Sequence, residues 1–285
     1  MRMKAIKILI YWQVLLVPYW SNAQINQSYF GAESAGMGGA VTASYSKSAV
    51  FNNISGITKI DNPTLITGLQ SKFYGIFNTV GLGLIYPLQN GQFGFSALRF
   101  GDKFYNEQQL SAAYAFDLEG ISLGFKANLL QINSSGYGSF YTPILDFGVI
   151  TQLSQKIWLG GSVRNFTQSG IRSIENEEKL TSELAIGISY QPLTKIKLNI
   201  DAVKAIEHPF SIRAGFEYAL TNNLLIRTGI TGLEQNYHFG ASFHLKKITV
   251  DYALSTHSYL GFSHQLSISL ALSNLTRKQQ IHEEE

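Results

Sequence analysis

From Thr64 to the end of the chain, apolar and polar residues alternate with a period of two, the pattern of strands with one apolar face. Fourteen such segments follow one another, at about 64–74, 79–88, 92–101, 107–117, 121–133, 142–153, 156–166, 182–191, 195–204, 209–220, 223–231, 235–245, 248–256 and 264–273. Most run to the 9–11 residues with which a tilted strand crosses a bilayer. The second half alternates most cleanly. Leu184, Ile186, Ile188 and Tyr190 oppose Glu183, Ala185, Gly187 and Ser189, and Phe210, Ile212, Ala214, Phe216 and Tyr218 oppose Ser211, Arg213, Gly215 and Glu217. The first three strands alternate less cleanly, and Arg99 and Phe100 fit either face.

Every second connection is tight, such as Gln89-Asn90-Gly91, Leu118-Glu119-Gly120 and Lys246-Lys247, and carries hairpin chemistry. The intervening loops are longer, the longest being 167–181. Short turns at one end, longer loops at the other and an even strand count predict an all-β fold. It is a 14-stranded antiparallel transmembrane β-barrel. A soluble sandwich also alternates, but it does not need so many long aromatic strands and its outer faces carry more charge. Composition agrees: charged residues are 14% of the chain and aromatics 13%, with 26 glycines and no cysteine. An exported protein without disulfides needs another source of stability, which closure of a sheet supplies.

Ahead of the strands, residues 1–23 have the layout of a signal peptide: Arg2, Lys4 and Lys7, an apolar run from 8 to 20, then Ser21-Asn22-Ala23. With those three cations removed, Lys+Arg falls from 22 to 19 against 19 Asp+Glu, so the mature chain is neutral and shows no sign of nucleic-acid binding. Residues 24–63 are expected to form a small N-terminal hatch inside the lumen, 64–275 the barrel, and 276–285 a polar tail. The hatch stretch is dominated by Gly, Ala and Ser, side chains that let backbone pack on backbone.

Inward charges are expected at Lys126, Asp146, Arg164, Glu183, Lys195, Lys197, Asp201, Arg213, Glu217, Arg227 and Asp251, with His238 and His244 on the same face. Mixed signs on neighbouring strands, as in Asp201 and Arg213, point to a salt-bridged lumen and give no single-sign ring for selecting ions. His238 and His244 lie about 20 Å apart along one strand, too far to share a metal. His257 and His264 flank the last loop. No serine has a histidine and an acid at informative spacing, so no catalytic residue, metal site or cofactor is expected and the chain reads as a non-enzyme. Lipid is the expected partner of the outward aromatics Tyr190, Phe210, Tyr218, Tyr237 and Phe243.

Gly31, Gly36, Met37, Gly38, Gly39 and Ala40, followed by Ala49-Val50-Phe51-Asn52-Asn53-Ile54-Ser55-Gly56-Ile57, resemble the N-terminal signature of the PorV/PorQ family, related to the fatty-acid transporter FadL. Asn53 and Gly56 match; Ile54 stands where the family has Pro, and Ser55 where it has Ala. The resemblance implies a 14-stranded barrel with an N-terminal hatch in the outer membrane of Bacteroidetes-type bacteria. Some family members serve type IX secretion. The function expected from it is an accessory barrel that docks other outer-membrane, periplasmic or surface proteins in a secretion or membrane-assembly complex. The alternative is a FadL-like channel for hydrophobic small molecules, which needs an apolar tunnel through lumen and hatch and a gap in the wall.

Overall fold

A computed structural model describes residues 29–272, apart from 137, 173–176, 207 and 233–235. The leader, the first residues of the expected hatch and the polar tail lie outside the described residues. The wall strands are β1 (Thr64–Lys72), β2 (Phe77–Leu88), β3 (Gly91–Gly101), β4 (Tyr105–Leu118), β5 (Ile121–Ser134), β6 (Gly138–Ser154) and β7 (Ile157–Arg164). After a short hairpin, β8 (Gly170–Arg172) and β9 (Glu177–Lys179), come β10 (Glu183–Leu193), β11 (Ile196–Ala205), β12 (Ser211–Ala219), β13 (Leu224–Thr231), β14 (Asn236–Leu245), β15 (Ile248–His257) and β16 (Gly261–Ala271). The fourteen wall strands form a closed antiparallel barrel, which β1 and β16 seal from Thr64↔Ala271 to Ser71↔His264.

Alternation sets the faces. On β1, Thr64, Ile66, Gly68 and Gln70 turn inward while Leu65 and Leu69 turn out. On β3 the ambiguity resolves the same way: Phe100 is buried inside and Arg99 is exposed outside. Through the middle of the strands the outward face is apolar, with Ile186, Ile200, Ile212 and Phe239 each more than half exposed, a surface that belongs in lipid. No helix among the described residues is long and apolar enough to cross a membrane, so crossing falls to the strands.

One end of the barrel carries tight turns. The turn between β4 and β5 has positive φ at both Glu119 (49°) and Gly120 (91°), the twist that suits a two-residue hairpin. The other end carries the longer loops, including the β8–β9 hairpin, which the alternation pattern did not reveal. Register shifts occur only beside turns, at Gln152/Ser154 and Tyr190/Leu193. At the loop end β6 runs past the end of β7, and its residues 138–146 pair only with β5.

An arginine on the lipid face near mid-strand should cost about 2–4 kcal/mol, and one near a strand end about 0–1 kcal/mol. Ile188→Arg is accordingly expected to destabilise far more than Leu193→Arg in guanidinium unfolding from phospholipid vesicles. Equal losses would contradict the assigned membrane depth.

Candidate functional site in the lumen

Residues 30–60 lie inside the barrel. Gly31, at φ 108°, starts the short helix α1 (Ala32–Gly36), and Gly38 and Gly39, at φ 64° and 76°, turn the chain back after it. Two 3-10 turns follow, Lys47–Val50 and Ile54–Ile57. Asn53 caps the second, accepting from the Ser55 N–H at 3.3 Å and the Ser55 hydroxyl at 2.8 Å, and its amide donates to the Thr42 carbonyl at 2.6 Å. Asn52 ties the start of the segment to its middle: it accepts from the Phe30 N–H at 2.8 Å and donates to the Phe30 and Ser48 carbonyls and the Ser34 hydroxyl.

This inner segment has two seats. Toward β1–β4 the contact is apolar, with Phe30, Val50, Phe51, Ile54 and Ile57 packed on Ile66, Ile85, Ala113 and Ala115. Toward β7 and β10–β14 backbone meets backbone. A side chain on Gly160 would collide with the Thr42 carbonyl and the Ala43 Cα, one on Gly215 with the Met37 carbonyl, and one on Gly240 with the Gly36 Cα. Inward glycines thus carve a groove into which the Gly36–Ala43 stretch fits. Polar side chains fix it there. The fully buried carboxylate of Asp201 accepts from the Thr42 N–H at 2.9 Å and its hydroxyl at 2.7 Å, and Asn199 donates to the Ala40 carbonyl and the Ser44 hydroxyl at 2.7 Å. Ser267 accepts from the Ala32 N–H at 2.9 Å, Thr231 donates to the Gly38 carbonyl at 3.1 Å, and the Thr58 hydroxyl meets Ser122 at 2.8 Å.

The expected lumen charges divide into pairs. Lys126 lies 3.6 Å from Asp146 and donates to the Phe51 carbonyl at 3.2 Å, while Arg213 reaches Glu183 at 3.8 Å. Arg227 binds Glu217 at 2.6 Å and Asp251 at 3.2 Å, and Lys197 adds a contact to Glu217 at 3.3 Å. Asp201 and Arg213 are register partners, yet the Asp201 carboxylate turns to Thr42. On α1, burial raises the Glu33 carboxyl above the ordinary glutamate value, against the opposing pull of Arg227. Lys195 is not a lumen residue; it sits exposed in the turn between β10 and β11.

His238 lies 2.8 Å from the Ser255 hydroxyl, but its other ring nitrogen meets Thr231 at 3.0 Å, where a hydrolytic triad would place an orienting acid. His257 and His264 part: His257 accepts from turn N–H groups at 259 and 260, while His264 is exposed against the Tyr252 hydroxyl. Toward the loop end, Glu107, Asn128, Asp146, Arg164, Asn165 and Leu180 line a cavity of about 30 Å³, room for about one or two waters. Leu180, just after β9, lines it as well and packs on Leu130 and Ile132.

The sequence matches no protein-family model and no curated protein. Solved structures do match. The "CymD monoaromatic hydrocarbon channel" superposes with a TM-score of 0.67 at 13% identity, covering 87% of this chain and 99% of that one. A FadL homologue of Pseudomonas aeruginosa gives 0.64 at 12% identity over 86% and 99%. The "TodX monoaromatic hydrocarbon channel deltaS2 mutant" gives 0.67 at 12% identity over 87% and 100%. The chain has the fold of FadL-like outer-membrane barrels.

The groove makes a test with an internal control. Gly160→Val should lift the inner segment and raise the rate of trypsin cleavage after Lys47 several-fold. Gly161→Val, on the outward face next door, should leave the rate unchanged. Asp201→Ala, which removes two hydrogen bonds to a buried charge, should cost about 1–3 kcal/mol in urea unfolding, and Thr42→Val, which removes one, about 1 kcal/mol.

Proposed function

We propose that this chain is a gated outer-membrane channel of the FadL-like kind for small hydrophobic molecules, with residues 30–60 as its gate. The observation that carries the reading is the way the inner segment shuts the lumen. It is seated by hydrogen bonds, apolar packing and shape, without a disulfide, and occupies the lumen between the apolar cluster at β1–β4 and the glycines of β7 and β10–β14. The likeness to barrels described as hydrocarbon channels supports the cargo class. On this reading the path opens along the barrel axis once the segment leaves its groove. Membership of the PorV/PorQ group rests on the stretch Gly31–Gly56, and a role as an accessory, partner-docking barrel in type IX secretion rests on that resemblance together with short loops and a crowded lumen.

The test is conductance and uptake in reconstituted bilayers. The full chain is expected to conduct rarely. The double variant Asp201→Ala/Asn199→Ala, which frees Thr42, Ala40 and Ser44, should conduct at least tenfold more often and should speed entry of toluene into proteoliposomes. A correctly folded double variant that stays shut, together with stoichiometric recovery of other envelope proteins on the native barrel, would replace the channel by the docking role.

A further inference from the structure

β4, β5 and β6 are the longest wall strands, with 14, 14 and 17 residues, and they rise beyond the apolar belt at the loop end. Their outward face changes character in a single register step. Ala97, Leu110, Leu129 and Pro143 form the last apolar row. The next row is Arg99, Gln108, Gln131 and Tyr141, and the one beyond it is Asn106, Asn133 and Ser139. These side chains order one another. Gln131 donates to Asn133 at 3.1 Å and to the Tyr141 hydroxyl at 2.9 Å, Asn133 donates to Asn106 at 3.0 Å, and Gln108 donates to Asn106 at 3.2 Å, while Ser139 donates to Asn133. The Tyr141 side stays open at 61% exposure, and Arg99 is exposed at the other end of its row.

We infer that this amide ladder is a docking surface for the phosphorylated sugar headgroup of an outer-leaflet glycolipid. The patch continues the lipid-facing surface upward on the same strands, so what lies over it is the headgroup layer. Its chemistry suits sugars: amides both donate and accept, as hydroxyls do, a tyrosine offers a ring face, and the Arg99 guanidinium complements phosphate. Four strands span about 14 Å and two rows about 7 Å, the footprint of a disaccharide. Elsewhere at this level exposed aromatics such as Phe210, Tyr237 and Phe262 alternate with single polar residues such as Asn78 and Lys204.

The inference rests on the outer-membrane placement proposed above, and the two fail separately: membrane fractionation reads the placement, and a titration in vesicles reads the patch. Full-length protein in phosphatidylethanolamine vesicles is titrated with lipid A, and retained lipid is identified by native mass spectrometry. The native chain should hold lipid A in preference to phosphatidylethanolamine. Gln131→Leu/Asn133→Leu should weaken lipid A at least tenfold and leave phosphatidylethanolamine unchanged, and Arg99→Gln should weaken intact lipid A more than its dephosphorylated form. Lys204→Leu, which removes an outward cation at the loop end of β11, should change neither. Should the double variant not fold, as judged by heat-modifiable migration, Asn133→Ser with Arg99→Gln takes its place. Equal lipid A affinity in native and variant chains, or the same loss in Lys204→Leu, would overturn the assignment.

Discussion

A cylinder of fourteen strands encloses more space than its own inward side chains fill, and the rest of the structure depends on how that space is taken up. In lipid every backbone polar group has to find a partner within the protein. The wall meets that requirement by closing on itself. The inner segment is mostly irregular backbone, and the barrel accepts it only by supplying partners for it: Asp201 for the Thr42 N–H, Asn199 for the Ala40 carbonyl, Ser267 for the Ala32 N–H. Glycines on the wall let the two backbones come close enough for these bonds to form. Shape and polarity therefore act together, and a change to either one is felt by the other.

The seat is asymmetric. Its apolar half, against β1–β4, resembles an ordinary protein core and holds the second part of the segment, which leads into β1. Its polar half, against β7 and β10–β14, holds the first part, from Gly36 to Ala43, by hydrogen bonds and glycine contacts. A net hydrogen bond contributes about 1 kcal/mol, while burial of an aliphatic side chain contributes about 1.5–3 kcal/mol. In the proposed channel the polar half is the side that releases first and the apolar half the anchored end. The ion pairs of Arg227 with Glu217 and Asp251 lie beside this polar half, and Glu33 of the segment interacts with the same arginine.

Much of this was legible in the sequence. Period-two alternation identified the wall strands because each has one face in lipid, so the pattern repeats whatever the neighbouring strand is. At Lys195 the alternation runs one residue past the strand, into the turn between β10 and β11. The seat was not legible. Gly160, Gly215 and Gly240 have no side chain to register in an alternation, and their meaning is set by what approaches them. Thr42 and Asp201 are 159 residues apart, and a single sequence carries no trace of that meeting. The β8–β9 hairpin escaped because three-residue strands are too short to show a period. Asn53 and Gly56 stood out only through resemblance; the structure supplies the physical content, a cap for Ile54–Ile57 and close packing on the Ser44 carbonyl.

In the proposed channel the Gly36–Ala43 stretch is a gate held by the Asp201 latch. The chain has no cysteine, so a single engineered pair reports on it without interference. Thr42→Cys with Asp201→Cys replaces the 2.7 Å hydroxyl–carboxylate contact by two thiols in reach of one another. Single-channel recording of this variant, oxidised and then reduced in the same bilayer, is the most direct measurement. The account predicts a silent barrel while the disulfide is closed and frequent openings once it is reduced. Identical conductance in the two states would contradict it.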